Sequence, residues 1–324
     1  MKTVIITGAN VGIGFATANF LARMPDWHVV LACRNESKAQ AAIGVIRQSN
    51  RTASVSFSPL DLFSLSSVRR FSQSLRSMEL PPLGGLILNA GGINMAAKSL
   101  EFTDDGFERT FQLNFLGHFL LVNLLLPEMS APARIVFVSS DLHDPAATRM
   151  GKITPPRYGP VEDLARAVGS AASLKPMGRY ATAKLYTMMT AYELDAKLRA
   201  MHKAITVNSW SPGVVPTTQA GRNMNPIVKK IMTNRWFVNF MGSHLATEQE
   251  CAEALGGLLV NEKYAGVSGR YFDGFKEIPS SIESRDAAKA RAVWEQALRL
   301  AALTQDAKSL LEFGAGGQLL HSKT

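Results

Sequence analysis

Short runs of Val, Ile and Leu alternate along the chain with longer stretches whose apolar residues recur every three or four positions. The runs predict strands at Thr3–Thr7, His28–Cys33, Ser54–Ser58, Leu86–Asn89, Arg134–Ser139, Ile205–Trp210 and Gly269–Phe272. They are almost continuously apolar, as strands covered on both faces must be. The stretches between them predict helices at Ile13–Met24, Glu36–Gln48, Ser66–Ser77, Phe107–Glu128, Arg179–Met201, Thr247–Asn261 and Asp286–Leu303. Strand and helix alternating in this way predict an α/β fold, with a single doubly wound parallel sheet flanked by helices across residues 1–305.

Two segments break the alternation. Residues 141–176 carry Pro145, Pro155, Pro156, Pro160 and Pro176 and are too long for a plain connection, so they read as an insertion. Residues 213–245 hold Ile227, Val228, Ile231, Met232, Trp236, Phe237, Phe240 and Met241 at amphipathic spacing. That pattern fits a short helix or two, either packed on the core or serving as a lid over an apolar substrate. The Gly-rich end, 306–324, reads as a flexible tail.

Composition narrows the classes. Of 324 residues, 46% are apolar and 19% charged, which excludes disorder for the bulk of the chain. The formal charge is +9, but the Lys and Arg are scattered and match no nucleic-acid motif, so no nucleic-acid partner is expected. Cys33 and Cys251 are too few for a disulfide framework or a four-ligand zinc site, and no ligand spacing suggests another metal. No uninterrupted apolar stretch reaches about 18 residues, and the start does not read as a signal peptide. The expectation is a cytoplasmic protein with no transmembrane segment.

The first strand runs into Thr7-Gly8-Ala9-Asn10-Val11-Gly12-Ile13-Gly14 and then a helix. Glycines at such a turn let the backbone approach a diphosphate seated on a helix N-terminus. At the end of the second strand stands Arg34, suited to a ribose 2′-phosphate, with Glu36 two residues on as the group that would serve a free 2′-hydroxyl. Tyr180 and Lys184 lie four apart on a helix and so share one face. A phenol of pKa ~10 needs a shift of about 3 units to work near neutrality, and an ammonium ~4 Å away supplies that at effective dielectric 20. Ser139 and Ser140 end a buried strand at the sheet edge where ligands collect, Ser140 being the better placed by sequence. Asn89 ends another strand, and Asn114 interrupts an apolar helix and needs partners. His118 reads as a satisfied core residue and His143 as a solvated loop residue near the substrate.

TGANVGIG, LNAG, the Asn114 of LNFLGHF, VSS, YATAK and SPGVVPT, in that order, resemble the short-chain dehydrogenase/reductase family. Within it, the stretches around WHVVLACRN and GFERTFQLNFLGHFLLVNLLLP resemble the branch of retinol dehydrogenases and light-dependent protochlorophyllide reductases. The resemblance implies a Rossmann-type fold and NADPH. It implies that Gly8, Asn10, Gly12, Ile13 and Gly14 cradle the diphosphate, that Arg34 binds the 2′-phosphate and that Asp61 and Leu62 flank adenine. Asn89, Ala90 and Gly91 would line the nucleotide, and Pro212, Gly213 and Thr217 the nicotinamide. It further implies a tetrad of Asn114, Ser140, Tyr180 and Lys184, in which Tyr180 is the acid/base and Ser140 orients a carbonyl. Lys184 would lower the phenol pKa and hold the ribose, and Asn114 would place a relay water.

The chain departs from that pattern. Forty positions separate Ser140 from Tyr180, where the family usually has a dozen or so. The photoreductase cysteine after the sixth strand is replaced by Val214 and Val215, and the anchoring segment common in retinol dehydrogenases is not evident. The expected function is therefore a carbonyl reductase, or the reverse alcohol dehydrogenase, acting on a bulky apolar or aromatic small molecule. The alternatives are a C=C or C=N reductase, including a light-driven chlorin reductase, and a non-catalytic NADPH-sensing module. Monomer and homo-oligomer both remain open.

Overall fold

The computed structural model describes residues 1–95, 97, 99–216 and 234–303. The tail 306–324 and the centre of the 213–245 segment, with Ile227, Val228, Ile231 and Met232, lie outside the described residues. Eight strands form one sheet: β1 (Lys2–Thr7), β2 (Trp27–Cys33), β3 (Val55–Pro59), β4 (Leu83–Leu88), β5 (Met129–Val138), β6 (Ile205–Ser211), β7 (Arg270–Asp273) and β8 (Lys276–Glu277). Their order is β3-β2-β1-β4-β5-β6-β7-β8. The doubly wound parallel sheet expected from the sequence is present, all neighbours running parallel except β7 and the added edge strand β8, which pair antiparallel. β8 is two exposed residues with no apolar pattern to betray it.

Alternation within the strands builds a core on each face. Val4 and Ile6 of β1, with Val29 and Leu31 of β2, face one side, where α1 (Gly12–Leu21), α2 (Glu36–Ser49) and α10 (Glu248–Val260) pack. Ile5, Val30 and Ala32 face the other, against α3 (Leu65–Arg76), α5 (Gly117–Leu125), α8 (Pro176–Ala200) and α11 (Ala287–Leu300). Phe119 meets Trp294 of α11 edge-on at 5.0 Å between ring centroids, closing that second layer.

The helix expected over Phe107–Glu128 is subdivided. It starts as α4 (Arg109–Phe111), passes through a π-helical turn at Gln112–Leu116, and continues as α5. Arg109–Glu128 is apolar and long enough to cross a membrane, but most of it is buried inside this fold, which is where a core helix sits. The insertion is ordered by α6 (Arg149–Ile153) and α7 (Val161–Arg166). Arg157 N–H donates to Thr182 Oγ1 (2.9 Å) and Gly159 N–H to the Tyr186 hydroxyl (3.0 Å), holding the insertion on α8. A last short helix, α9 (Arg235–Phe240), precedes α10.

β1 connects toward β2 and β3 on one side, and the chain then crosses back so that β4 lies on the other side of β1. Such a reversal opens a crevice beyond the carboxyl ends of the strands, the place where open α/β sheets bind ligands.

Candidate active site

A cleft of about 970 Å³ occupies that crevice. One end is made of backbone. Gly8 and Gly12 sit at φ +68° and +58°, left-handed conformations that a side chain would strain. A Cβ on Gly14 would come within 2.4 Å of the Gly8 carbonyl oxygen and 2.5 Å of Asn89 Nδ2, so the turn closes only around glycine. α1 begins at Gly12 with no side-chain cap, since Val11 holds the cap position, which leaves its first amides facing the cleft without a competing side chain. Asn89 Nδ2 donates to Thr7 O (2.8 Å) and Ala90 N–H to Thr7 Oγ1 (2.8 Å), tying the loop after β4 to the end of β1. Asn10, Ile13, Ala90 and Gly91 line the same wall.

Arg34 lies exposed at the far rim, its guanidinium 5.4 Å from the centroid of the Phe63 ring. Lys38 of α2 lines the rim beside it, a second cation that the sequence pattern did not single out. Asp61 and Leu62 flank this end. Asp61 Oδ1 accepts from Phe63 N–H (3.0 Å), which shapes the turn that presents both residues. This end of the cleft thus combines a glycine turn on an uncapped helix N-terminus with two cations along the same lining.

At the other end stand Ser140, Tyr180 and Lys184. β5 delivers Ser140 and α8 delivers the other two on one face. Ser139 is buried beside Ser140, its hydroxyl donating to Lys184 O (3.4 Å). Lys184 Nζ donates to Val138 O (2.8 Å) and lies 5.5 Å from the Tyr180 ring centroid. Burial lowers the lysine to about 7, and the Tyr180 phenol is pushed up to about 12 by burial and by the nearby Asp141 carboxylate, a hydrogen bond with Ser140 acting in the opposite direction. The same enclosure that raises the phenol thus weakens the positive charge of its lysine neighbour.

Asn114 is fully buried and satisfied. Its Oδ1 accepts from Gly92 N–H (3.0 Å), and its Nδ2 donates to Gly92 O (2.8 Å) and Thr110 O (2.8 Å). It therefore shapes the loop Asn89–Gly92 rather than lining the cleft directly. A Cβ on Gly91 would lie 2.6 Å from Asn114 Oδ1 and 3.4 Å from Lys184 Nζ, which shows how closely these groups converge. Pro212 and Gly213 line the wall beside them, and Thr217 lies outside the described residues.

The two histidines divide. His118 is buried against Thr7 Oγ1 (3.0 Å) and held down to about 3 by burial and the neighbouring Lys184, as a core histidine should be. His143 is not solvated as expected. It is 1% exposed, with Nδ1 donating to Ser140 O (2.6 Å) and Nε2 accepting from Ser281 N–H (3.3 Å), because the insertion folds it under β7 against Tyr271. Burial holds it below the usual histidine range.

The substrate-side walls are apolar, with Leu113, Leu142, Met150, Met177, Phe237, Val238 and Met241 among them. Arg149 N–H donates to Met241 O (2.9 Å), and its guanidinium sits 4.2 Å from the Phe240 ring centroid, so the insertion and α9 form one wall. Sequence reasoning missed Asp141 and Ser243, both of which line the cleft.

A family model described as short chain dehydrogenase matches residues 2–151. Retinol dehydrogenase 14 of Mus musculus is 36% identical over 309 residues, covering 91% of this chain and 84% of that protein. This chain belongs to the short-chain dehydrogenase/reductase family. Protochlorophyllide reductase B of Hordeum vulgare is 31% identical, covering 92% of this chain and 78% of that protein, so the branch suggested by the sequence is present among its relatives. A crystal structure of an uncharacterized protein from Mycobacterium paratuberculosis superposes with a TM-score of 0.67 at 28% identity, covering 93% and 94% of the two chains. The NADPH-bound short chain oxidoreductase of Pseudomonas aeruginosa, at 21% identity and TM-score 0.60 (84% and 94% covered), shares the fold. The protein is accordingly an oxidoreductase of the short-chain type.

Proposed function

We propose that the chain is an NADPH-dependent carbonyl reductase, or the reverse alcohol dehydrogenase, for a bulky apolar or aromatic small molecule. The observation that carries this reading is one continuous cleft with a glycine turn and Arg34 at one end and Ser140, Tyr180 and Lys184 at the other. The cradle fits a dinucleotide because the cleft runs unbroken from the glycine turn to Tyr180, and the turn itself closes only around glycine, a Cβ at Gly14 lying 2.4 Å from the Gly8 carbonyl oxygen. Gly8, Gly12 and Gly14 would hold the diphosphate with the amides of α1, Arg34 and Lys38 the 2′-phosphate, and Asp61 and Leu62 the adenine edge. Bound there, a nicotinamide supplies or accepts a hydride at its C4 carbon.

The chain's own residues handle the proton. Tyr180 gives its phenolic proton to the carbonyl oxygen as the alcohol forms, or takes it back in oxidation. Lys184 lies beneath the Tyr180 ring, where an anionic nucleotide would favour its charged form and so draw the phenol down. Asn114 holds Gly92 and with it the loop that lines the nicotinamide side. The apolar walls of the insertion and α9 exclude water from the reacting carbon and favour a large apolar group. That NADPH-bound proteins share the fold, and that relatives are named retinol dehydrogenases, supports the cofactor and an apolar alcohol or aldehyde. Relatives named protochlorophyllide reductases share the scaffold, but Val214 and Val215 give this cleft no thiol at the corresponding wall.

The test is oxidation of NADPH in the presence of a panel of apolar ketones and aldehydes, in wild type and Tyr180→Phe. Loss of the phenol should lower kcat by roughly 10²–10⁴ while leaving NADPH affinity unchanged. Equal turnover in the two proteins would remove Tyr180 from the chemistry, and NADPH binding with no turnover of any substrate would favour the sensing module.

A further inference from the structure

Two arginines meet one aromatic ring at the nucleotide end of the cleft. The Arg34 guanidinium lies 5.4 Å from the centroid of Phe63 and the Arg109 guanidinium 4.4 Å from it. Both distances fall within the range, about 6 Å, over which the electron-rich face of a ring attracts a cation. Arg34 and Phe63 line the cleft, whereas Arg109 reaches the ring from the start of α4.

The two cations differ in what else they hold. Arg109 Nε lies 3.4 Å from Glu101 Oε2, so its charge is matched within the protein. Arg34 is exposed and enters no ion pair among the described residues. A long exposed side chain with no such partner samples many rotamers in water and gives up that freedom when it grips an anion. A surface on which it already rests reduces that loss.

Phe63 is built to be such a surface. Its N–H donates to Asp61 Oδ1 (3.0 Å), and Asp61 N–H donates to Ser67 Oγ (3.1 Å). The next residue, Ser64, caps α3 by accepting from Ser67 N–H (3.2 Å), and Leu65 N–H donates to Asp105 Oδ2 (2.8 Å). The turn that carries the half-buried ring is therefore fixed on both sides. Arg109, already matched by Glu101, braces the ring without adding an unmatched charge.

We propose, resting on the reading of this cleft as an NADPH site, that Phe63 is a positioning residue for cofactor selection: it holds the unpaired Arg34 guanidinium at the rim, where a ribose 2′-phosphate would supply the missing anion. A guanidinium can meet a ring through its flat face and still donate from its N–H edge, so the contact with Phe63 and a contact with phosphate oxygens are compatible. The benefit falls on NADPH. A free 2′-hydroxyl carries no charge to be met, so holding the cation in place does little for NADH.

Dissociation constants for NADPH and NADH, measured by calorimetry, test the assignment in wild type, Phe63→Leu, Phe63→Tyr, Arg34→Ala and the double variant Phe63→Leu/Arg34→Ala. Phe63→Leu keeps an apolar side chain but removes the ring face. It should weaken NADPH about two- to fivefold, the size of a cation–π contact at an exposed site, and leave NADH unchanged. Phe63→Tyr keeps the ring and should bind both cofactors as wild type does. With Arg34 already replaced by alanine, Phe63→Leu should make no further difference. Equal weakening of both cofactors, or the same loss with and without Arg34, would show that Phe63 only shapes the wall and would overturn the proposal. An unchanged NADPH affinity in Phe63→Leu, in a protein that prefers NADPH and loses that preference in Arg34→Ala, would overturn the role of Phe63 alone. A wild type that binds NADPH no better than NADH, with Arg34→Ala altering neither, would overturn the NADPH reading and the proposal with it.

Discussion

At the nucleotide end of the cleft the contacts come mainly from backbone: a turn at positive φ, a helix begun without a side-chain cap, and a loop laced to β1 through Thr7. At the substrate end they come from side chains carried by two long segments, residues 141–176 and the stretch around α9, which meet through Arg149, Met241 and the Ser243–Asp141 hydrogen bond. Backbone requirements restrict sequence tightly, because few residues other than glycine fit. A wall of Met, Leu and Phe can be built in many ways. On the proposed reading the first end would hold the cofactor and the second the substrate, and the two should respond differently to substitution.

The largest effect should come from Gly14→Ala. The added methyl would meet the Gly8 carbonyl and Asn89 Nδ2 well inside contact distance, and neither can retreat without opening the turn. Overpacking of this kind costs about 1–3 kcal/mol, so NADPH affinity by calorimetry should weaken roughly ten- to a hundredfold. Unchanged affinity would mean the turn is not the diphosphate seat. Arg34→Ala should act next, weakening NADPH about tenfold and leaving NADH unaffected, since an exposed charge-assisted hydrogen bond contributes at the low end of about 1.5–3 kcal/mol. Equal loss for both cofactors would hand the specificity to Lys38 or Glu36. Met241→Ala should be mildest: a severalfold rise in KM for a bulky ketone, with no change in NADPH affinity, because a flexible thioether wall repacks easily. A matching loss of cofactor affinity would break the division between the two ends.

Sequence legibility follows the same division. β1, the glycine turn and α1 were readable because strand, turn and helix each impose a pattern on consecutive residues. Tyr180 and Lys184 were readable because helical spacing places i and i+4 together. β8 was not, since Lys276 and Glu277 are exposed and show no period. α6 and α7 are five and six residues long and lie among prolines, too short for a helical stripe to emerge. Asp141 and Ser243 are 102 positions apart, and no local pattern announces a hydrogen bond at that separation. His143 was misplaced for the same reason: its burial depends on Ser281 and Tyr271, far along the chain. Spacing places Tyr180 beside Lys184 but says nothing about how deeply both are enclosed.

The π-helical turn at Gln112–Leu116 puts one extra residue into a helix that otherwise packs as a core element. Each residue advances an α-helix by about 100°, so the segment before the turn and the segment after it are set in different rotational phase. Phe111 and Phe115 both lie edge-on to Tyr186, each 5.6 Å away between centroids, while Asn114 between them hydrogen-bonds Gly92. That amide is held by three hydrogen bonds, two with Gly92 and one with Thr110 O. It is a clutch between two gears, letting one helix serve the hydrophobic interior and the floor of the cleft without compromise to either.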